Sequence, residues 1–187
     1  MNIRDKKENQ LIKLFSEEQI QNKVKELAEQ VNEEFLNSED VIVIGVLSGA
    51  VLFVSDLIRH LDIPVQLEFI KLSSYGDKTC SSGKVKPVDL TLPDLRGKDV
   101  LIVEDIIDTG LTTNFLVNYI KFQHEANKIK LITLIDKACM RIYPVNIDFI
   151  GYKIDNKFVV GYGMDYKGYF RNLPYIGYFQ DIEYEQI

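Results

Sequence analysis

Three carboxylates punctuate one short stretch, "VLIVEDIIDTGLT", which runs from Val100 to Thr112. Four apolar residues end in Glu104 and Asp105. Two isoleucines follow, then Asp108, Thr109, Gly110 and Leu111, and helix-like spacing resumes near Thr112. A continuous apolar run reads as a strand covered on both faces. The acidic pair therefore stands where the strand, read as Val100 to Glu104, opens into the crevice that ligands occupy in parallel sheets. A strand-to-helix turn presents several backbone N–H groups beside the positive end of the helix dipole, which suits a phosphate. Thr109 and Thr112 add hydroxyl donors, and Gly110 permits a tight turn. Carboxylates accept hydrogen bonds from sugar hydroxyls and help to hold a magnesium ion. Together these features describe a ligand with a phosphate and vicinal hydroxyls, a ribose 5-phosphate. A plain cap of the next helix by Asp108 and Thr109 would account for D-T-G alone, but not for the acids before it.

The elements that must position this stretch are readable from periodicity. In "SEEQIQNKVKELAEQVNEEFLN", Ser16 and Gln19 have the spacing of a capping box, and Ile20, Val24, Leu27, Ala28, Val31 and Phe35 form one apolar stripe, so a structural helix is expected. "VIVIGVL" (Val41 to Leu47) reads as a buried strand, "VLFVSDLIRHL" as an amphipathic helix and "VQLEFIKL" (Val65 to Leu72) as a second strand. The polar stretch "SSYGDKTCSSGKVKPVDLTLPDLRGK" predicts either a functional loop or a pair of weak strands. "KIKLITLID", "VNIDFIGYKI" and "KFVVGYG" follow as strands, and the aromatic tail "DYKGYFRNLPYIGYF" reads as irregular. Strands alternating with helices imply an α/β fold with a mainly parallel central sheet flanked by helices. One domain over 1–187 is expected, with a core of about 38–165. A small hood would come from about 1–37, including the first helix, and from 166–187.

Composition narrows the possible functions. The chain has 187 residues, 46% of them hydrophobic and 27% charged, enough for a buried core. A net charge of −6 argues against a nucleic-acid partner, which would need a basic stripe. No apolar run reaches membrane-spanning length, the start "MNIRDKKENQ" has no apolar secretion core, and Cys80 and Cys139 read as reduced thiols. A cytoplasmic protein without a membrane partner is the expectation. His60 and His124 read as ordinary helix residues, so a histidine metal site is not expected.

"VLIVEDIIDTGLT" resembles the phosphoribosyl pyrophosphate (PRPP) motif of the type I phosphoribosyltransferases, in the form found in hypoxanthine-guanine phosphoribosyltransferases. "GVLSGAVLFVSDL" is similar to that family's pyrophosphate loop and helix, and "KLSSYGD" to its mobile loop. "LIDKA", "DFIGYKIDNKFVVGYGMDY" and "YFRNLPYIG" are similar to its purine-binding and C-terminal segments, in matching order over about residues 11 to 180.

The resemblance implies a purine salvage enzyme that transfers the 5-phosphoribosyl group from PRPP to hypoxanthine, and to guanine as well, giving IMP or GMP and pyrophosphate. It implies that Glu104 and Asp105 hold the ribose hydroxyls directly or through Mg2+, that Asp108 to Thr112 hold the 5-phosphate, and that Asp108 is the general base near purine N7. Lys137 would donate to the 6-oxo group, Phe158 would stack on the purine and Val159 would meet it through its backbone. Asp165 would join Glu104 and Asp105 as a metal-linked acid near the purine. Ser48, Gly49 and Arg171 would hold pyrophosphate, and Ser74 and Tyr75 would close over the centre. Taken singly, each has a plainer role: Lys137 and Arg171 as surface charges, Phe158 as core, Asp165 as a turn residue. The family also implies a homodimer or homotetramer. A regulatory PRPP sensor and a transferase for another base, such as xanthine or a pyrimidine, remain as alternatives. One departure stands out: where the family usually has Leu-Lys-Gly, this chain has Leu47-Ser48-Gly49.

Overall fold

The computed structural model describes residues 11–77, 80–89 and 91–179. Its main sheet has six strands in the order β4-β3-β2-β5-β6-β7. These are β2 (Val41–Leu47), β3 (Val65–Asp77), β4 (Cys80–Asp89), β5 (Asp99–Ile107), β6 (Lys128–Asp136) and β7 (Phe149–Lys153). Five are mutually parallel, and β4 returns antiparallel to β3. The apolar strands are buried on both sides because successive side chains alternate between faces. Val41, Val43, Leu101 and Val103 face one layer with helices α1 (Glu17–Glu34) and α2 (Val51–Ile58). Ile42, Ile44, Val100 and Ile102 face the other, with Leu116 and Ile120 of α3 (Leu111–Gln123). A mainly parallel sheet flanked by helices is the expected α/β architecture.

Helix α1 starts as its sequence predicts: the Gln19 amide donates to Ser16 Oγ at 3.2 Å, and the Ser16 amide donates to Gln19 Oε1 at 2.9 Å. Its apolar stripe, Ile20 to Phe35, is buried in one core with the main sheet and α2. A separate three-stranded sheet, β1-β9-β8, joins β1 (Leu11–Phe15), β9 (Ile176–Phe179) and β8 (Val159–Val160) by antiparallel pairing. The tail read as irregular thus contributes a strand. Phe170 and Phe179 pack with Val160 beneath this small sheet.

The end of β5 and the places of the two histidines differ from expectation, while the polar stretch supplies the pair of strands that was one of its two expected forms. Strand β5 runs on to Ile107, because Glu104 pairs with Thr133 and Ile106 with Ile135 on β6. The long polar stretch begins as a β3–β4 hairpin in which Ser74 pairs with Val85; the side chains of Ser74 and Tyr75 lie outside the described residues. His60 lies past the end of α2, and His124 is the C-cap of α3. No helix among the described residues is long and apolar enough to cross a membrane.

Candidate active site

Strand β2 connects onward to β3 on one side of the sheet and β5 connects to β6 on the other, so the chain changes direction between β2 and β5. Crevices form at the carboxyl ends of such strands, and two clefts open there. The first, of about 330 Å³, is lined by Glu104 and by Ile106 through Thr113. The second, of about 290 Å³, is lined by Ser48, Gly49, Asp105, Ile106, Lys137, Phe158, Val159, Met164, Asp165 and Arg171. The expected residues are therefore brought together, apart from Ser74 and Tyr75, but they are divided between two neighbouring clefts.

Glu104 and Asp105 do not form a pair on one wall. Because β5 is still a strand at this point, they point to opposite faces, Glu104 into the first cleft and Asp105 into the second. Glu104 is buried and accepts from the Thr113 hydroxyl at 3.4 Å. Burial and the neighbouring Asp105 charge push its carboxyl well above the usual carboxylate range, against the Thr113 hydrogen bond. Burial lifts Asp105 to about 6, while backbone N–H groups and Arg171 pull it down and Asp165 pushes it further up. Gly49 makes room for this acid, since a Cβ there would lie 1.9 Å from Asp105 Oδ2.

The turn after β5 has the features of an anion cradle. Gly110 is the N-cap of α3, with φ 82° and no side-chain cap; the Thr109 hydroxyl meets the Leu111 amide only at 3.4 Å. The first-turn amides of α3 have no intrahelical acceptor and border the first cleft. Behind the turn, the Ile142 and Tyr143 amides both donate to Thr109 O, at 3.0 and 2.9 Å, and the Lys137 amide donates to Ile107 O at 3.0 Å. Arg141 joins this brace by donating to the buried Asp136 carboxylate and to Ile107 O. Sequence reasoning passed over Asp136 and Arg141, although they flank Lys137; their pairing depends on the short 3-10 turn Ala138–Met140.

Lys137 and Asp108 join the clefts. Lys137 Nζ lies 3.8 Å from Asp108 Oδ2, and the lysine side chain is only 1% exposed. Burial lowers the Lys137 pKa, and the Asp108 carboxylate opposes that shift. At the far wall, Arg171 Nη2 meets Asp165 Oδ1 at 2.7 Å and Nη1 donates to Gly163 O at 2.5 Å. Phe158 packs edge-on to Tyr166 with centroids 5.7 Å apart. Ile106 and Met164, not singled out from sequence, complete the apolar lining.

Among the described residues, no group of three or more His, Cys, Asp and Glu side chains gathers into a metal cage. Two carboxylates of the second cleft, Asp105 and Asp165, still suit magnesium. That ion takes one or two carboxylates and completes its shell with water and phosphate oxygens. The charge of Asp165 raises the Asp105 pKa, and a divalent cation held by these residues would offset that repulsion.

A family model, Phosphoribosyl transferase domain, matches residues 14–167. The chain belongs to the phosphoribosyltransferase family. It is 45% identical over 172 residues to the hypoxanthine-guanine phosphoribosyltransferase of Bacillus subtilis, covering 92% of this chain and 94% of that one. It is 40% identical to the enzyme of the same name from Streptococcus pyogenes, covering 92% and 95%. Among solved structures, a hypoxanthine phosphoribosyltransferase from Staphylococcus aureus superimposes with a TM-score of 0.87 at 37% identity, covering 92% and 94%. A hypoxanthine-guanine phosphoribosyltransferase from Bacillus anthracis gives 0.83 at 44% identity, covering 89% and 97%.

Proposed function

We propose that this phosphoribosyltransferase couples PRPP to a 6-oxopurine, hypoxanthine and also guanine, in purine salvage, giving IMP or GMP and pyrophosphate. The observation that carries this reading is the Lys137–Asp108 contact of 3.8 Å at the junction of the two clefts. A donor for the 6-oxo group and an acceptor for the N7 proton there sit between a phosphate cradle and an acid-and-arginine pocket. An ammonium can donate to an oxo group but cannot accept from the 6-amino group of adenine.

In this reading the amides and hydroxyls of Thr109 to Thr112 hold the 5-phosphate. Phe158 stacks on the purine, Val159 meets it through its backbone, and Asp165 lies beside it. Ser48, Gly49 and Arg171 hold the pyrophosphate. Asp105 and Asp165 would hold Mg2+ in the second cleft, while Glu104, on the opposite face of β5, would serve the first cleft. Bound magnesium would neutralise charge on the pyrophosphate. As purine N9 bonds to the anomeric carbon, the carbon–oxygen bond to pyrophosphate breaks, its electron pair leaves with pyrophosphate, and the N7 proton passes to Asp108. Positive charge on the ribose ring in the transition state is stabilised by the nearby carboxylates. Ser74 and Tyr75, on the β3–β4 hairpin, close over the centre and exclude water. The chain functions as a single domain in the cytoplasm, as a homodimer or homotetramer, with the β1-β9-β8 sheet as its hood.

The test is turnover with PRPP and magnesium, offering hypoxanthine, guanine, xanthine, adenine and uracil separately and following nucleotide formation. Hypoxanthine and guanine should react and adenine and uracil should not. Absence of turnover with every base would overturn the reading.

A further inference from the structure

Beyond the residues that line the clefts, one carboxylate is gripped from three elements. Asp56 Oδ2 accepts from the Tyr162 hydroxyl at 2.5 Å and from Gln21 Nε2 at 2.8 Å, and Oδ1 accepts from Arg59. Asp56 lies on α2, the helix that follows the Ser48-Gly49 loop, whereas Gln21 lies on α1 and Tyr162 beyond β8. The three hydrogen bonds outweigh burial and hold the Asp56 carboxyl below its ordinary range, so it is a charged anchor.

Tyr162 is 4% exposed and has φ 48°, a left-handed conformation that side chains seldom adopt. Its neighbour Gly163, φ 96°, lies so close to the loop that a Cβ there would be 2.1 Å from Gly49 O. The Gly163 amide donates to Arg171 O at 3.0 Å and its carbonyl accepts from Arg171 Nη1 at 2.5 Å. Two residues further on is Asp165, paired with the same arginine. Gly49, Arg171 and Asp165 are thus registered on one turn, and the Tyr162 side chain ties that turn to the helix carrying the loop. The cleft lined by Glu104 and Ile106 through Thr113 has no part in this arrangement.

We propose that Asp56 and Tyr162 are positioning residues, a clamp that holds the Gly49 loop and the Asp165–Arg171 turn at the spacing pyrophosphate requires. This rests on the assignment of the second cleft to pyrophosphate. The clamp acts on that cleft alone, so its loss separates the two phosphate sites in a way that general loosening of the fold does not.

The experiment is calorimetric titration of the full chain and its variants with magnesium pyrophosphate and, separately, with ribose 5-phosphate. Tyr162→Phe and Asp56→Ala should each weaken magnesium pyrophosphate by about tenfold, the scale of one lost hydrogen bond to a charged group, and leave ribose 5-phosphate within about twofold. Asp56→Asn, whose amide oxygen still accepts from Tyr162, should retain most of the affinity. Equal weakening of both ligands, or unchanged pyrophosphate binding in Tyr162→Phe, would overturn the clamp. Wild-type protein that binds magnesium pyrophosphate but transfers no purine would sink the transfer reading and leave the clamp standing. Wild-type protein that does not bind magnesium pyrophosphate would sink both.

Discussion

Lys137 and Asp108 are the residues on which chemistry would turn, and their 3.8 Å separation ties the fate of each to the other. Asp108→Asn keeps the side chain's shape but removes its capacity to take a proton. It should lower kcat by about 100-fold, the usual scale for a positioned base, with the Michaelis constant for PRPP little changed. Full steady-state rate in the variant would remove Asp108 as the base. Ser48 makes a different case. It lines the second cleft with two acids, Asp105 and Asp165, and Arg171 as the cation among its lining residues that pairs with Asp165. Ser48→Lys, which restores the pattern the family usually carries, should lower the apparent Michaelis constant for PRPP, because a further positive charge meets a polyanion. An unchanged or higher constant in initial-rate kinetics would contradict this.

At the scale of elements, what was readable and what was not divide along physical lines. The apolar runs of β2, β5 and β6 declare themselves because a strand covered on both faces is apolar along most of its length, and α1 declares itself by a stripe and a capping box. The end of β5 did not, because Glu104 and Asp105 look like the edge of a strand when only their own polarity is considered. Pairing with β6 carries the strand past them and sends the two acids to opposite clefts. Strands β1 and β9 escaped notice because each is short and stabilised by a partner more than 160 residues away. The site residues were legible as a set of motifs, but the braces behind them were not: Asp136–Arg141 and Asp56–Tyr162 are contacts made by folding. The first of these braces carries a prediction. Removing one partner of a buried ion pair leaves an uncompensated charge, at about 3–5 kcal/mol. Arg141→Met should therefore lower Tm by roughly 10 °C for a chain of this size and raise the Michaelis constant for PRPP through the loosened Thr109 turn. Asp136→Leu combined with Arg141→Met should recover most of the Tm, which differential scanning calorimetry would check. No recovery would mean that packing, not charge, explains the loss.

For the whole molecule, acidity and stability work against each other at the site. The chain carries −6, and two adjacent carboxylates of one strand sit away from bulk water, Glu104 buried and Asp105 half-buried. Burial raises Asp105 from 3.8 to about 6. A carboxyl with a raised folded-state pKa is easier to ionise in the unfolded chain, so ionisation favours unfolding. Well below the unfolded-state value of 3.8 the group is protonated in both states and contributes nothing. Between about pH 4 and 6 the destabilisation grows, and above that it is fully present, amounting to about 3 kcal/mol for a shift of this size. Asp105→Asn removes it. In melts of the metal-free protein, the variant should match wild type well below about pH 4 and exceed it by roughly 5–10 °C at pH 7 and above. Glu104 shifts in the same direction, partly because of the Asp105 charge, so its own burden should also lessen in the variant. Magnesium with pyrophosphate should raise the wild-type Tm at pH 7 and leave Asp105→Asn nearly unmoved, since a ligand stabilises only the state that binds it. A variant no more stable than wild type at pH 7 would show that Asp105 is already satisfied without a cation.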